Sequence, residues 1–219
     1  KFGYLANWLD IKAQAQNPKN YISGKACDHY NRYEEDFDIA KSFGHNAHRF
    51  SIEWSRIEPE EGKFDEKEIE HYRNVLIALR EREIETFVTL WHWTHPVWVE
   101  EFGGPTNKKF NEHFLRYAEF IFNEYKDLVK FWMPLNEPGT AVSLSYLIGS
   151  QPPGIKNKII ANSAFKNLMQ IQKDTYKLAK TVSPDFQIGC SHFMFDIKPA
   201  NKMPWNICAA KIMDYFAND

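Results

Sequence analysis

The sequence has no long apolar run, few cysteines and no block of like charge. No stretch approaches the ~18 to 20 consecutive apolar residues that a membrane helix needs, which argues against a membrane span. The 27 basic and 29 acidic side chains are interspersed and give a net charge of -2, so the sequence lacks the basic patch typical of nucleic-acid binding. We therefore expect one soluble globular domain of 219 residues, with neither a membrane nor a nucleic acid as partner.

Cofactor and disulfide signatures are also missing. The three cysteines, Cys27, Cys190 and Cys208, are scattered and form no CxxC pair, which argues against a disulfide framework and favours a reducing compartment. The first ten residues, KFGYLANWLD, contain no signal-peptide pattern, so we expect a cytoplasmic protein. Neither GxGxxG nor HExxH occurs, and the sequence predicts no cofactor and no metal.

Aromatic side chains are abundant and make up 16% of the sequence. Two interpretations of this abundance compete. Most of these rings are expected to fill a large core, whereas a few tryptophans can stack on the apolar face of a sugar. Composition alone leaves both interpretations open.

Segments with apolar residues at helical spacing alternate with short strand-like runs. Asp65 followed by Glu68 resembles a capping box at the start of the second helical segment. Residues 1–21 lack the pattern and are predicted to be irregular, apart from a short strand near Phe2 to Leu5. The four runs predicted as strands, each preceded by a helix, are Ala47 to Ile52, Ile84 to Leu90, Val129 to Leu135 and Ile188 to Phe193.

Helices that alternate with strands predict an α/β fold with a parallel sheet, either doubly wound or closed into a barrel. Polar and aromatic residues cluster where the predicted strands end, as in Glu53–Trp54, His92–Trp93 and Asn136–Glu137. Active sites of (β/α) barrels lie at this end of the strands, and the phosphate-binding turn of a dinucleotide fold is absent. The pattern therefore favours the barrel.

Asn136, Glu137 and Pro138 end the third predicted strand. In a functional interpretation, Glu137 is a general acid and base that protonates a leaving oxygen. In a structural one, the segment is a turn in which Asn136 caps the chain and Glu137 is solvated. By itself the tripeptide is a weak signal that favours the turn.

His92 lies between two tryptophans at the end of the second predicted strand. It is a candidate donor to a sugar hydroxyl, with Trp93 as a stacking platform, but a lone histidine among aromatic rings is more often structural. Arg49 lies within the first predicted strand, which otherwise looks buried. A buried guanidinium is costly without a carboxylate, so Arg49 predicts an acidic neighbour, either structural or catalytic.

Taken in order along the chain, several motifs resemble glycoside hydrolase family 1, the β-glucosidase family. The resemblance covers roughly residues 22 to 216. Its motifs are the DHY of residues 28–30, RFSIEWSRIEP of residues 49–59, FVTLWHW of residues 87–93, LNEP of residues 135–138 and LIGSQPPG of residues 147–154.

The resemblance implies a (β/α)8 TIM barrel that hydrolyses β-glycosides with retention, using two carboxyl groups ~5 to 5.5 Å apart. It assigns Glu137 as the acid and base, and Arg49 as the residue that holds the nucleophilic carboxylate. It assigns Asn136 and His92 to sugar binding, with Trp93 lining the same pocket. It implies no metal and no cofactor.

The chain also departs from the family pattern. The nucleophile motif, TENG-like, does not occur in the sequence. The family's HWDLP reads His92-Trp93-Thr94-His95-Pro96, and Glu83 replaces a glycine before the second predicted strand. If that position needs a positive φ, the glutamate introduces strain.

Only about four or five βα units fit within 219 residues, fewer than a closed barrel requires. We therefore expect residues 1–219 to form one partial barrel domain, completed by a second chain or by a missing C-terminal half. The alternative function is an inactive half-barrel or assembly module that binds sugar weakly at most. Another barrel family with an NEP motif, such as cellulases or xylanases, is a third and weaker interpretation.

Overall fold

Four parallel strands form one sheet in the computed structural model, which describes residues 24–218. The expectation for residues 1–21 therefore lies outside the described residues. The strands follow one another across the sheet in chain order: β1 (Ala47–Ser51), β2 (Glu85–Trp91), β3 (Phe131–Leu135) and β4 (Gln187–Ile188). In their register, Arg49 lies opposite Phe87 and Thr89 lies opposite Met133.

Helices precede and connect the strands, as the alternating pattern predicts. No helix of residues 24–218 is long and apolar enough to cross a membrane. A 3-10 helix spans Gly104–Thr106, and a π-helix spans Ser143–Ile148. The α-helices in chain order are α1 (His29–Ser42), α2 (Trp54–Ile57), α3 (Glu66–Glu81), α4 (Val97–Glu101), α5 (Lys109–Tyr125), α6 (Pro138–Val142), α7 (Lys158–Val182) and α8 (Pro204–Asn218).

The start of α3 shows half of the predicted capping box. The Asp65 carboxylate accepts hydrogen bonds from the backbone N–H groups of Lys67 and Glu68, at 2.9 and 3.3 Å. The Glu68 side chain does not return to Asp65. It accepts instead from Tyr30 and Arg56, and thereby ties α3 to α1 and α2.

The core lies between the sheet and helices α3, α5 and α7. Alternate strand residues face opposite sides of a sheet, so Val88 and Trp132 are fully buried, whereas Phe87 and Met133 on the other face are only half-buried. Many aromatic rings of residues 24–215 are buried in the core. Its largest members are Trp54, Trp132, Tyr117, Tyr125, Phe110, Phe114 and Phe122.

A fully buried carboxylate, Glu58, lies within this core. It accepts hydrogen bonds from the Trp54 indole at 2.9 Å and from the Gly62 N–H at 2.7 Å. It also forms an ion pair with Arg116 of α5. Because charged and neutral donors surround it, the buried charge of Glu58 is compensated within the described chain.

The fourth strand is shorter than the sequence pattern predicts. Only Gln187 and Ile188 pair with β3, and one isolated bridge joins Asn136 to Ser191. Phe193, the last residue of the predicted strand, is exposed. A run of apolar residues can form a strand or lie in an exposed loop, and the sequence alone does not distinguish the two. The prediction that this strand extends to Phe193 was therefore wrong.

The turn before β2 has the positive φ that the family's glycine at this position suggested. Glu83 has φ 54°, in the left-handed region where glycine is at ease and other residues are strained. Its side chain is exposed and lies 3.9 Å from Lys41, a contact too weak to offset the strain. The predicted strain at Glu83 is therefore present.

Candidate active site

The five residues selected from the sequence lie at the carboxyl edge of the sheet or reach towards it. Arg49 lies on β1, while His92 and Trp93 follow the last residue of β2. Asn136 and Glu137 follow the last residue of β3. Because the strands are parallel, these segments meet at one edge, and hydrogen bonds connect them.

Asn136 is at the centre of this edge. It is buried, with 3% of its surface exposed. Its backbone N–H donates to the Trp91 carbonyl at 2.9 Å, and its own carbonyl accepts from the Trp93 indole at 2.9 Å. Its side-chain oxygen accepts a hydrogen bond from the Arg49 guanidinium. One residue thus links β1, β2 and β3.

Glu137 has an unusual backbone conformation, with φ 42° and ψ 57°. A left-handed residue other than glycine costs ~1 to 2 kcal/mol, so neighbouring contacts must hold it there. The Glu137 N–H donates to the Ser191 carbonyl at 3.0 Å, and the Glu137 carbonyl accepts from the Ala141 N–H at 3.0 Å. These main-chain bonds fix the backbone of the half-buried Glu137 at the start of α6.

Arg49 is exposed, which corrects the expectation of a buried guanidinium. It donates to Thr89 Oγ1 at 3.0 Å and to Ser191 Oγ at 3.2 Å, in addition to Asn136. Within residues 24–218 no carboxylate forms an ion pair with it, so the predicted acidic neighbour is not found there. The physical reason is that Arg49 lies on the open face of the sheet, where water and neutral oxygens satisfy it.

His92 is held by one ring nitrogen. Its Nδ1 lies 2.9 Å from the Ser51 hydroxyl at the end of β1. Partial burial, and then the positive charge of Arg49, lower the pKa of His92 below its usual value, although Glu137 and Glu53 act in the opposite direction. The ring is therefore neutral near pH 7.

Trp93 has φ 75°, so two of the five predicted site residues adopt strained left-handed backbones. The indole is half-buried, and its ring centre lies 6.2 Å from that of His92 in an edge-to-face arrangement. Strain concentrated at neighbouring strand ends is typical of functional sites, because a packed surrounding must maintain it.

Sequence reasoning missed the hydroxyl groups that connect these residues. Ser51, Thr89 and Ser191 hold His92 and Arg49. Ser51 and Thr89 lie within the motifs of residues 49–59 and 87–93, whereas Ser191 lies outside them, 142 positions from Arg49 in the chain. Only the parallel register brings such partners together, so no short-range signal could have connected these hydroxyl groups to His92 and Arg49.

A metal centre is not formed by the described part of the chain. Within residues 24–218, no three His, Cys, Asp or Glu side chains are grouped to hold a metal ion. His95 is paired with Glu100 at 2.9 Å, and His29 with Asp36 at 2.6 Å. The chemistry of the strand edge is therefore that of two carboxyl groups, Glu137 and Glu53, with an imidazole, an amide and a guanidinium.

Comparison with known proteins gives the family of the chain and agrees with its fold. The sequence profile described as glycosyl hydrolase family 1 matches residues 6–219. The chain belongs to glycosyl hydrolase family 1. Among curated relatives, a 1,4-beta-D-glucan glucohydrolase of Thermotoga neapolitana is 34% identical over 216 residues. That alignment covers 98% of this chain and 51% of the relative, so the chain spans about half the length of the relatives it matches.

Solved structures give the same result. A family 1 β-glucosidase from Thermotoga maritima superposes with a TM-score of 0.82 at 34% identity, covering 88% of this chain and 44% of that chain. The AHE enzyme from Alicyclobacillus herbarius superposes with a TM-score of 0.86 at 31% identity, covering 99% and 50%. The prediction of a partial (β/α)8 barrel, N-terminal in the family, is therefore confirmed.

Proposed function

We propose that this chain carries the acid and base half of a retaining β-glycosidase. The observation that supports the proposal most directly is the position of Glu137. Its main chain is locked at the carboxyl edge of the sheet, beside the Asn136 and Arg49 network, as a barrel active site requires. Family membership and the β-glucosidase relatives point to the same chemistry.

In this proposal, Glu137 performs two proton transfers. It first protonates the glycosidic oxygen while a second carboxylate attacks the anomeric carbon and forms a covalent glycosyl intermediate. The leaving alcohol departs with that proton. Glu137, now ionised, then takes a proton from water as the water attacks the intermediate, which releases the sugar with retained configuration and restores the acid.

Neighbouring groups are arranged to donate hydrogen bonds to a sugar. The Asn136 oxygen is engaged by Arg49, so the amide nitrogen is the end of that side chain available to a hydroxyl group. The Nδ1 atom of His92 is engaged with the Ser51 hydroxyl, so the other ring nitrogen is the one available to a sugar hydroxyl. The half-buried Trp93 indole supplies an apolar face for stacking.

The nucleophile is proposed to come from polypeptide outside these 219 residues. Arg49 has only neutral acceptors among the described residues, and its exposed guanidinium is suited to bind a carboxylate. In a retaining site that carboxylate lies ~5 to 5.5 Å from the acid and base. A second chain or a C-terminal half of the barrel would supply it, with a β-glycoside as substrate.

A mechanism-based fluorinated β-glucoside tests the proposal directly. The purified protein is incubated with it and its intact mass is measured before and after, followed by peptide mapping. We expect a covalent adduct on a glutamate that lies outside the present sequence. A folded sample that binds no label would instead favour the alternative of an inactive half-barrel.

Glu137→Gln tests the assigned role within the active protein. We expect hydrolysis of an unactivated β-glucoside to fall by ~10² to 10⁴, because proton transfer to the leaving oxygen is lost. An aryl glucoside with a strongly acidic leaving group should lose much less in the first step. Glu119→Gln, an exposed carboxyl on α5, is the matched control and should change neither rate. Equal loss on both substrates would contradict the acid role.

A further inference from the structure

Glu53 is a carboxylate at the strand edge that the proposed mechanism does not use. It lies two positions beyond the end of β1 and is the N-cap residue of α2. Its Oε1 accepts from the Ser55 N–H at 3.3 Å and from the Ser55 hydroxyl at 2.6 Å. Its Oε2 accepts from the Thr94 hydroxyl at 2.7 Å. The two oxygens therefore have different partners.

The bond to Thr94 crosses from one strand end to the next. Capping α2 requires only one oxygen, which Oε1 supplies, so capping does not account for the contact of Oε2. Thr94 directly follows His92 and Trp93, and it lies 41 positions beyond Glu53 in the chain. The carboxylate thus connects the end of β1 to the segment that carries the proposed sugar-binding pair.

The Glu53 main chain is itself fixed. Its N–H donates to the Tyr72 hydroxyl at 3.0 Å, and burial raises the pKa of Tyr72 well above its usual value, so that hydroxyl remains protonated. Glu53 is therefore held from α3 on one side and from α2 on the other. A carboxylate anchored in this way can fix the position of a neighbouring hydroxyl group.

Trp93, the residue before Thr94, needs contacts that hold its backbone in place. Trp93 has a strained φ of 75°, and its indole N–H reaches the Asn136 carbonyl at 2.9 Å, next to Glu137. The corresponding motif of the family carries an aspartate where this chain has Thr94. An aspartate would present a like charge to Glu53, whereas a threonine hydroxyl can donate to it. Glu53 and Thr94 are thus chemically matched.

We propose that Glu53 is a positioning residue that acts through Thr94 and fixes the orientation of His92 and Trp93 relative to Glu137. The effect on sugar binding rests on the function proposed above, whereas the effect on Trp93 geometry does not. In this arrangement the oxygen atoms of Glu53 act as acceptors of hydrogen bonds. Its charge does not take part in the chemical step.

Hydrogen exchange of tryptophan indole N–H groups tests the structural part, with resonances assigned by Trp→Phe substitutions. Thr94→Val and Glu53→Ala should each speed exchange at Trp93 roughly three- to tenfold, the equivalent of one net hydrogen bond. The indole of Trp98, which donates to the Glu58 carbonyl and lies outside the helix that Glu53 caps, is an internal control that should not change. Unchanged exchange at Trp93 in both variants would overturn the proposal.

Two conservative variants separate positioning from general loss of stability. Thr94→Ser retains the hydroxyl, and Glu53→Gln retains an oxygen for Ser55 while the Thr94 hydroxyl can turn to accept from the new amide. Both should keep exchange at Trp93 near the original rate. Thr181→Val removes a hydroxyl that donates to the Leu178 carbonyl on α7, and is the matched control. Exchange in Thr94→Ser as fast as in Thr94→Val would contradict the role of the hydroxyl.

Binding of a glucose-configured iminosugar tests the functional part by calorimetry. We expect Thr94→Val to weaken binding about threefold or more, and Thr94→Ser to bind like the original protein. If the original protein binds no iminosugar, the function proposed above fails, and the exchange experiment still decides the role of Glu53. If it binds and Thr94→Val binds equally well, the positioning role in sugar binding is wrong.

Discussion

Two arginines in this molecule are held in opposite ways. Arg116 forms an ion pair with Glu58, a carboxylate that is fully buried and also accepts from the Trp54 indole and the Gly62 N–H. Arg49, at the carboxyl edge of the sheet, is exposed and bonds to hydroxyl and amide oxygens. Its charge has no carboxylate partner among residues 24–218.

The difference separates a charge that is paired within the chain from one that is not. The Glu58 centre is closed, because every strong interaction it needs comes from α2, the following turn and α5. The Arg49 centre is open, because neutral oxygens orient the guanidinium without neutralising it. An arginine prepared in this way is suited to receive a carboxylate from elsewhere, which is the role the family resemblance gives to Arg49.

The largest expected effect is the loss of the closed ion pair. Arg116→Met keeps the aliphatic stem but leaves the buried Glu58 carboxylate without its charged partner. We expect the free energy of unfolding to fall by ~3 kcal/mol, since uncompensated buried charge is costly. Arg73→Met is the control, because Arg73 binds the more exposed Glu124 and Asp127 and should cost ~1 kcal/mol or less. Chemical denaturation measures both, and equal losses would contradict the contrast.

A smaller effect on stability is expected from pH, through two partly buried histidines, His48 on β1 and His71 on α3. Burial lowers the pKa of His48, with His29 and His45 adding to the shift, and burial also lowers the pKa of His71. As the pH falls, these histidines therefore bind protons at a higher pH in the unfolded state than in the folded state. Their contribution to stability is complete above pH ~6.5 and is lost as the pH falls below that value. The melting temperature should drop between pH 7.5 and 5.5, and His48→Phe should reduce the drop. A rise on acidification would show the opposite sign.

Relief of backbone strain at Glu83, outside the site, should raise the free energy of unfolding by a small amount. Glu83→Gly removes the left-handed strain at φ 54° and loses only a 3.9 Å contact with Lys41. The strain relieved exceeds the extra freedom that glycine gives the unfolded chain, so we expect stabilisation of ~0.5 to 1 kcal/mol. Thermal unfolding measures it. Glu83→Ala keeps the Cβ and should stabilise less, and a stabilisation equal to that of glycine would refute strain as the cause.

At the open centre the expected loss is smaller than that of Arg116→Met. Arg49→Met removes a donor from the buried oxygens of Thr89 and Asn136 but leaves no buried charge behind, so the free energy of unfolding should fall by ~1 kcal/mol. Denaturant titration beside Arg116→Met makes the comparison direct. A loss as large as that of Arg116→Met would mean that Arg49 has a carboxylate partner within the chain, and the open centre would be wrong.

Much of the fold could be predicted from the sequence. Apolar spacing in α5 and the Asp65 cap of α3 depend on nearby residues, so a single sequence displays them. The end of β4 could not be read in the same way. Whether the residues after Ile188 pair depends on a neighbouring strand rather than on their own apolar character, and Phe193 is exposed in the structure.

The candidate site was predictable in its chemistry and less so in its connections. Asn136, Glu137 and His92 belong to recognisable motifs, and the structure brings them to one edge. The burial of Arg49 was overestimated, because strand periodicity does not reveal whether the opposite face of a sheet is covered. The bond from Glu53 to Thr94 joins residues 41 positions apart, and only the parallel register of β1 and β2 makes it possible.

Ser191 contacts the site in two ways that differ in how mutation can affect them. Its hydroxyl oxygen accepts a hydrogen bond from Arg49, so any substitution that deletes this oxygen removes that contact. Its carbonyl accepts from the Glu137 N–H, and both atoms belong to the main chain. No change of side chain at position 191 can delete the second bond. The main-chain bond that places the proposed acid therefore persists whatever side chain stands at position 191. The contact with Arg49, in contrast, can be lost by substitution there.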